Sequence, residues 1–426
     1  MRTAVVVLED VGRSLRMQYH ALSLAERGDE VDFIGFAGTP PLPAVSAHPR
    51  IHVHDLVHRA AQPWASGGTG RFVVAAVLRA ARVAFALFGT LMRVPSPDVI
   101  LVQNPPAVPT LGVAWVVARL RGARLAIDWH NLTHTVAAVR LGERHRAVRA
   151  LARAERRWAR RADLHLSASK ALASWLQREY GVTAPVVYDR PAAAFSRTAS
   201  SEAAALWARI APTADLGADR LPLVVCPTSW TAADDFDLLL EALERAERSL
   251  ARPVGARGAS PGTPAAHPVS PAGPLLALTL TGRGDLREAF EARAARRQLT
   301  HLAVRTIWLE AEDYPAWIGM ADLGLCLHQS SSGLDLPKQL ADFRGAGVPV
   351  ASLDYAPVLG EVLTSGHEGV TFRDPGELAD LLVRLAAGGI LFGSPLERTK
   401  IWLSEHPAER WDDHWPATAG RVLVSR

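Results

Sequence analysis

The segment LAIDWHNLTH places four functional side chains directly after a predicted buried strand. They are the consecutive residues Asp128, Trp129, His130 and Asn131. A carboxylate and an imidazole at a strand terminus suit general-base chemistry, and the indole suits stacking on a substrate ring. One histidine beside a strand is more often structural, but four such residues in a row favour a site.

A second candidate site follows the first predicted strand, TAVVVLED. Gly12 permits a tight turn there, and Ser14 is expected to cap the helix predicted over Arg16–Arg27. Arg13 and Arg16 then lie at the carboxyl edge of the strand, where doubly wound domains bind anions such as an acceptor phosphate. From spacing alone, a capped helix with solvated arginines is slightly favoured. No G-x-G-x-x-G follows any strand, which argues against a dinucleotide site.

Three loops in the second half of the chain form the pattern of a nucleotide-diphosphate site. PTSWTAADDF offers Thr228 and Ser229 before an acidic helix start. LTGRGDL places glycines on both sides of Arg283, so the backbone can approach a ligand while the guanidinium pairs with phosphate. HQSSSGLDLPKQLAD is predicted to supply a helix N-terminus, where backbone N–H groups bind anions, although SSSG alone is equally a turn. The candidates in this third loop are Ser331, Ser332 and Gly333.

Two acidic residues follow in the same stretch. Asp335 and Asp342 lie seven apart and share one face if both are helical. A carboxylate there could hold ribose or sugar hydroxyls. The simpler interpretation is that acidic residues near a helix N-terminus complement the helix dipole, which would explain Asp335 but not Asp342.

The elements that must position these residues read as two α/β series. Apolar β-rich runs alternate with helical stretches, which indicates parallel sheets with crossover helices. Continuous hydrophobicity in TAVVVL and VILVQ indicates strands buried on both faces. We predict a first domain over 1–200, a second over 215–398, and a helical segment over 399–426 that packs back on the first. A helix is predicted over Asp234–Ser249, and a mobile Pro-rich excursion over Ala251–Pro274.

Composition separates the two halves of the 426-residue chain. Residues 1–200 hold 26 Lys and Arg against 14 Asp and Glu, whereas residues 201–426 hold 21 against 29. The first half is therefore predicted to meet an anionic surface or ligand. Cys226 and Cys326 lie in apolar runs, so no disulfide framework is expected.

Two stretches bear on membrane contact. The sequence starts in a strand pattern, so no signal peptide is expected. Phe72–Val94 is the most apolar stretch, but Arg79 and Arg82 argue against a spanning helix and leave an interfacial or a core-facing helix. Arg140–Arg161 is predicted as one basic helix with a mostly solvated face. Attraction to an anionic membrane is its second interpretation, and nucleic-acid binding is disfavoured because interleaved aromatic residues are absent.

These segments together resemble a known family. DVGRSLRMQYHALSLA, DWHN, YDRP, TSWTAADDFDLLLEALE, LTGRGDLRE, WLEAEDYPAWIGMADLGLCLHQSSSGLDLP and RWDDHW, in this order, resemble the chitobiosyldiphosphodolichol β-mannosyltransferases. The resemblance implies a GT-B fold, with two Rossmann-like doubly wound domains facing a cleft and a C-terminal helix that crosses back. It also implies inverting transfer of mannose from GDP-mannose to the terminal GlcNAc of a polyprenyl-diphosphate-linked chitobiose.

The resemblance implies roles for matching positions. The donor diphosphate would be held by Arg283, the 331–333 backbone, Thr228 and Ser229. Ribose or sugar hydroxyls would be held by Asp342 and Glu361. The acceptor diphosphate would face Gly12, Arg13 and Ser14. Asp128 or His130 would be the base. Arginine and helix dipoles usually stabilise the leaving diphosphate in GT-B enzymes, so no bound metal is required, and a divalent ion is expected at most to stimulate.

The sequence also departs from the family pattern. The family usually carries an N-terminal membrane anchor, which is not expected here, so attachment at the cytoplasmic face of a membrane would come from Phe72–Val94 or the arginines. The family's usual lysine stands at Gln339, and Lys338 precedes it by one position, a rotation of about 100° on a helix. Alternatives are a GT-B enzyme with another nucleotide sugar or acceptor, and a non-catalytic nucleotide-sugar or lipid-binding module.

Overall fold

The computed structural model describes residues 1–56, 69–251, 273–387 and 395–424, with side chains of its third helix described from residue 78 onward. The chain divides into two compact units. The first comprises Met1–Asp189, Leu334–Leu336 and Trp411–Arg426, and the second comprises Arg190–Gly333 and Pro337–Arg410. Nearly all of the predicted Pro-rich excursion lies outside the described residues.

The first unit is built on a six-stranded parallel sheet. Its strands are Arg2–Asp10 (β1), Glu30–Phe36 (β2), Ile51–Leu56 (β3), Val99–Asn104 (β4), Arg124–Trp129 (β5) and Leu164–Ser167 (β6). The order β3-β2-β1-β4-β5-β6 reverses direction between β1 and β4. Ligands of doubly wound folds bind beside such a switch point, at the carboxyl ends of the strands.

Helices connect these strands, as the alternating pattern predicts. They are Leu15–Glu26 (α1), Pro43–Ser46 (α2), Thr69–Arg93 (α3), Thr110–Arg121 (α4), Thr133–Leu141 (α5), Arg146–Ala159 (α6) and Lys170–Tyr180 (α7). Every residue of β4 is buried, which agrees with its unbroken apolar sequence.

The second unit repeats the same topology. Its strands are Leu223–Pro227 (β7), Leu276–Thr281 (β8), Leu302–Ile307 (β9), Leu323–Cys326 (β10), Val350–Leu353 (β11) and Gly369–Phe372 (β12), in the order β12-β11-β10-β7-β8-β9. Its helices are Ser200–Ile210 (α8), Phe236–Leu250 (α9), Arg287–Ala295 (α10), Asp313–Gly319 (α11), Gln339–Gly345 (α12), Pro375–Ala386 (α13) and Pro395–Glu405 (α14). The switch point lies between β7 and β10. The predicted α/β class is therefore confirmed.

The chain returns to the first unit at its C-terminal end. Trp411–Trp415 (α15), a π-turn at Pro416–Gly420 and Arg421–Val424 (α16) form this segment. The structure therefore assigns α14 to the second unit, whereas the sequence placed residues 399–426 together.

The predicted basic helix over residues 140–161 is wrong, because two helices occupy this range. Gly142 ends α5 with a φ of 80°, and its N–H donates to the Ala138 carbonyl at 2.8 Å. His145 then caps α6 by accepting a hydrogen bond from the N–H of Ala147 at 3.2 Å. A similar cap at Asp235 starts α9 at Phe236, two residues later than predicted.

Candidate functional site

Asp128, at the end of β5, is a fully buried carboxylate with three side-chain donors. Arg16 binds it in a bidentate manner, with Nε 2.8 Å from Oδ2 and Nη2 2.9 Å from Oδ1. His20 and His130 place their Nε2 atoms 3.2 and 2.9 Å from the same Oδ2. Burial alone would raise the pKa of Asp128, but Arg16 and the imidazoles hold it well below its usual range. Asp128 is therefore a permanent anion that orients its neighbours, which makes it a poor proton acceptor.

Arg16 was expected to bind an acceptor phosphate, and the structure contradicts this. Its guanidinium is 4% exposed and also donates from Nη1 to the Val187 carbonyl at 2.7 Å and to Asp189 at 3.0 Å. Four of its five N–H donors are thus bound inside the first unit. Arg16 therefore anchors Asp128, and these internal bonds leave at most one of its five N–H groups for any other ligand.

His130 combines a fixed orientation with an accessible ring, since its side chain is 24% exposed. The ionised Asp128 can only accept, so the proton of the neutral imidazole must lie on Nε2. The lone pair then lies on Nδ1. A base whose second nitrogen is held by a buried carboxylate is the arrangement found in catalytic triads. The sequence left the base open between these two residues, and the geometry favours His130.

The loop that carries His130 is held by β4 and α6. The Asn104 carbonyl accepts the N–H of His130 at 2.9 Å, and its side-chain amide donates to the Asn131 carbonyl at 3.0 Å. The same amide donates to the fully buried Glu155 at 2.8 Å. Glu155 also accepts the N–H of Thr133 at 2.6 Å. These bonds fix the backbone on both sides of the candidate base.

Sequence reasoning missed Glu155 and His20. Glu155 stands seven residues after Val148 and four before Ala159, both buried, so helical periodicity could have placed it on the core-facing side of α6. His20 lies four residues after Arg16 and therefore on the same face of α1. The indole of Trp415, which donates to Nδ1 of His20, lies too far away in sequence for any local pattern to indicate it.

The turn after β1 is shaped by packing. A Cβ on Gly12 would lie 2.2 Å from the Thr39 carbonyl oxygen, so only glycine fits. The predicted cap at Ser14 is wrong, because its hydroxyl donates to Gln103 Oε1 at 2.8 Å and makes no capping bond to α1. Arg13 is exposed at this edge. Of the two arginines predicted to meet the acceptor, only this one is placed at the surface.

In the second unit, the loops after β7 and β8 lie in direct contact. A Cβ on Gly282 would lie 1.9 Å from the Thr228 carbonyl oxygen, and one on Gly284 would lie 2.2 Å from that of Ser229. The Trp230 indole donates to the Gly282 carbonyl at 3.1 Å. The glycines that flank Arg283 therefore allow close packing between the two loops.

The hydroxyl residues of the β7 loop differ in their availability. Thr228 is buried; its hydroxyl donates to Asp234 at 2.5 Å and accepts the N–H of Trp230 at 3.0 Å. It shapes the loop. Ser229 is exposed, with its hydroxyl 3.1 Å from that of Thr231. Ser229 is therefore the ligand-accessible member of the pair.

Arg283 is the cation of the β8 loop, and its guanidinium stacks on Trp308. The central carbon lies 3.7 Å from the ring centroid. A guanidinium over an indole face is held there by cation–π attraction, and its planar fork of donors is suited to bidentate phosphate binding.

The stretch HQSSSGLDLPKQLAD supplies the N-terminus of α12, as predicted, but its serine-rich loop lies upstream of that helix. Helix α12 begins at Gln339, after residues 334–338 have intervened. The hydroxyl of Ser330 instead accepts the N–H groups of Ser332 and Gly333 at 3.2 and 2.8 Å. Gly333 has a φ of 69°, a conformation that favours glycine. Phosphate binding by residues 331–333 stays a prediction.

The two acidic residues of this stretch do not share a helix face. Asp335 precedes α12 and accepts a hydrogen bond from Asn131 Nδ2 at 2.9 Å, within the first unit. Asp342 lies in α12 and is buried. It accepts from Lys338 Nζ at 2.8 Å and from the Tyr314 hydroxyl at 3.3 Å.

The remaining predicted donor ligand is Glu361, which ends a 3-10 turn over Pro357–Glu361 after β11 and is half-buried. Gln339, at the position of the family's lysine, donates to the Pro227 carbonyl at 3.4 Å. Within the described ranges, no cluster of three His, Cys, Asp or Glu side chains could hold a metal ion. No helix in those ranges is long and apolar enough to cross a membrane.

Comparison with known folds defines the class. A family model described as a glycosyl transferase 4-like domain matches residues 11–188. The solved structure of Anabaena Alr3699/HepE with UDP and glucose aligns at a TM-score of 0.65 and 14% identity, covering 100% of this chain and 99% of that one. Sucrose-phosphate synthase from Thermosynechococcus elongatus aligns at 0.65 and 14%, covering 98% and 96%. The two doubly wound units and these matches define a glycosyltransferase of the GT-B class.

Sequence relatives narrow this class. A protein named UDP-glycosyltransferase TURAN from Arabidopsis thaliana is 37% identical, over 91% of this chain and 89% of the relative. Chitobiosyldiphosphodolichol β-mannosyltransferases from Mus musculus and Homo sapiens are 32% and 33% identical, over 99% and 97% of this chain and 88% and 90% of theirs. The chain belongs to the chitobiosyldiphosphodolichol β-mannosyltransferase family, as the sequence motifs indicated.

Proposed function

We propose that this glycosyltransferase moves mannose from GDP-mannose, with inversion, to the GlcNAc of a polyprenyl-diphosphate-linked acceptor. The names of the mouse and human relatives support the sugar and the acceptor. The observation that carries the proposal is the Asp128–His130 pair, because an inverting displacement needs one oriented base.

In the proposed reaction, His130 Nδ1 accepts the proton of the acceptor hydroxyl. The acceptor oxygen forms a bond to C1 of mannose as the bond from C1 to the diphosphate oxygen breaks. Asp128 stabilises the imidazolium that forms, because its negative charge is 2.9 Å from Nε2. The proton then leaves His130 to solvent when the product departs.

For the donor, we assign the diphosphate to Arg283 and Ser229, with the 331–333 loop beside them. Trp308 supports the Arg283 guanidinium, whose central carbon lies 3.7 Å from the ring centroid. The buried Thr228 and Asp342 act indirectly, the first by shaping its loop and the second by holding the ammonium of Lys338. Glu361 is assigned to ribose or sugar hydroxyls.

For the acceptor, we assign the diphosphate to the exposed Arg13, on the turn shaped by Gly12 and Ser14. Arg13 and Arg283 supply charge stabilisation without a bound metal, so a divalent ion would stimulate at most.

We also propose that the first unit docks peripherally on the cytoplasmic face of a membrane. Helix α5, which follows the His130 loop, exposes Val136, Val139 and Leu141. Helix α3 buries Leu87 but exposes 77% of Phe85. It therefore has one face in the core and another at the surface, which combines the predicted core-facing and interfacial helices. Exposed apolar residues beside a basic helix fit the interface of an anionic membrane. The exposed arginines of the adjoining α5–α6 segment are Arg140, Arg144, Arg146, Arg149, Arg153, Arg156 and Arg157.

A donor screen tests the proposal. Thermal shift and transfer are measured with GDP-mannose, UDP-GlcNAc and UDP-glucose, using a short polyprenyl-diphosphate chitobiose. Stabilisation by GDP and GDP-mannose is expected. Stabilisation by a UDP-sugar alone would contradict the donor and favour another nucleotide sugar, an alternative raised by the name of the Arabidopsis relative. Donor binding without transfer of any sugar would favour a non-catalytic binding module.

A further inference from the structure

The C-terminal segment reaches the buried carboxylate through a second histidine. The indole Nε1 of Trp415 donates to Nδ1 of His20 at 2.9 Å, and Nε2 of His20 lies 3.2 Å from Asp128 Oδ2. Trp415 and His20 are both buried. A chain of two hydrogen bonds therefore connects α15 to the carboxylate that orients His130.

The indole N–H of Trp415 determines which nitrogen of His20 carries the ring proton. An indole N–H can only donate, so Nδ1 of His20 must present its lone pair. The ring proton then lies on Nε2, where it donates to Asp128. A second proton on Nδ1 would meet the indole N–H head-on and would lose this hydrogen bond. Burial acts in the same direction, since it lowers the pKa of His20.

Two histidines thus contact the same carboxylate oxygen, and they differ in their exposure to solvent. His130 has an accessible ring, whereas His20 is enclosed by α1, β5 and α15. The charged groups that face His20 are Asp128, Arg16 and His130, and Arg16 also disfavours a positive charge there. If His20 took a proton, its charge would compensate Asp128 and reduce the stabilisation of an imidazolium at His130.

We propose that Trp415 is a positioning residue that holds His20 as a neutral Nε2–H donor, so that His130 is the histidine of the pair that takes the proton. This inference rests on the proposed role of His130 as the base. Trp415 is the last residue of the RWDDHW motif, so this inference gives the motif a role in catalysis in addition to its packing against the first unit.

The test compares two tryptophans of the same helix. Trp415→Phe keeps an aromatic ring but removes the N–H directed at His20. Trp411→Phe is the matched control, because Trp411 is equally buried and its ring also lies against His20, with centroids 5.1 Å apart, but its N–H donates to Ser23 at 2.9 Å. Trp415→Phe is expected to lower kcat about 10-fold at acid pH, where His20 can then take a proton, and to change KM by less than about twofold. Trp411→Phe should keep kcat within about twofold of wild type, and an equal loss in both variants would overturn the proposal.

The pH profile gives a readout that a purely structural role would not change. In Trp415→Phe, His20 becomes able to bind a proton at low pH, so the acid limb of kcat should move to higher pH. The double variant Trp415→Phe/His20→Gln supplies a neutral N–H donor that does not titrate. It should move the acid limb back, and failure of this rescue would contradict the mechanism even if the single variant folds poorly.

Nitrogen NMR on the full chain with ¹⁵N-labelled histidine tests the tautomer without any activity. His20 and His165 both accept a tryptophan N–H at Nδ1, so both are expected as neutral Nε2–H rings at pH 6. Only the signal of His20 should change in Trp415→Phe. If wild type transfers no sugar, the base role fails whatever the tautomer is. If wild type is active and Trp415→Phe has its full kcat and pH profile, only the role of Trp415 fails.

Discussion

Asp128 Oδ2 lies 2.9 Å from His130 Nε2, and this contact determines which nitrogen of the candidate base is free to accept a proton. The carboxylate is fully buried and bound in a bidentate manner by Arg16. The pKa of this carboxyl is held well below its usual range, so Asp128 is ionised at neutral pH and orients the candidate base.

Replacing His130 by Ala or Gln should lower kcat by about 10²- to 10⁴-fold, because proton removal from the acceptor would lose its oriented base. Stabilisation by GDP should be unchanged, since the donor is assigned to the second unit. His52→Gln is the control, because this exposed histidine on β3 has its Nε2 atom 3.1 Å from Glu30 and takes no part in the proposed reaction. A His130 variant with wild-type kcat would remove it from the mechanism.

Asp128→Asn should destabilise the first unit by about 3–5 kcal/mol, because it leaves the buried Arg16 without its counter-charge. It should also lower kcat, since an amide can turn its NH₂ group towards His130. Both effects are measured by urea unfolding and by initial rates. Glu241→Gln, which loses an exposed i,i+4 pair with Arg245, provides a comparison with a change of less than about 1 kcal/mol.

The stability of the wild-type chain should depend on acid pH through Asp128. Its folded pKa is depressed below the ordinary value of 3.8. The stability that it contributes is therefore complete above the unfolded value and is lost as the pH falls towards the folded one. Unfolding curves between pH 5 and about 2 should show a steeper loss for wild type than for Asp128→Asn; parallel curves would contradict the ionised state.

Arg283→Ala should raise the donor KM by about 10-fold or more, because the stacked guanidinium is assigned to the diphosphate. Arg283→Lys should recover little of the lost donor affinity, because an ammonium lacks the planar set of N–H donors that a guanidinium presents to phosphate. Arg248→Ala, at the exposed end of α9, should leave KM unchanged. An unchanged donor KM in Arg283→Ala would exclude this residue from the donor site.

Replacing Val136, Val139 and Leu141 together by Ser should weaken cosedimentation with vesicles that contain anionic lipid, because the exposed apolar face of α5 would be lost. Transfer to a short water-soluble acceptor should be retained. Binding to vesicles that is as strong as in wild type would show that α5 is not the docking surface.

The sequence predicted the α/β fold well because buried parallel strands carry local signals, as the unbroken apolar run of β4 shows. It failed at helix boundaries that a single glycine or a short irregular segment determines. Gly142 divides the predicted basic helix, and residues 334–338 separate the serine loop from α12. Arg16 looked solvated because its partners, Asp128 and Asp189, lie far away in sequence.

Long-range pairing also explains the residues that were missed. Trp415 and His20 are 395 positions apart, so no local pattern connects them. Glu155 is different, because its spacing from Val148 and Ala159 places it on a buried face. The distinction between Asp128 and His130 required burial and hydrogen bonds, which composition does not contain.

The stereochemistry of the transferred sugar tests the central claim most directly. The wild-type chain is incubated with GDP-mannose and a polyprenyl-diphosphate chitobiose, and the product is examined by mass spectrometry and by digestion with a β-mannosidase. We expect one added hexose that β-mannosidase removes, and no such product from His130→Ala. A product resistant to β-mannosidase but cleaved by an α-mannosidase would contradict inversion, and transfer from UDP-sugars alone would contradict the donor.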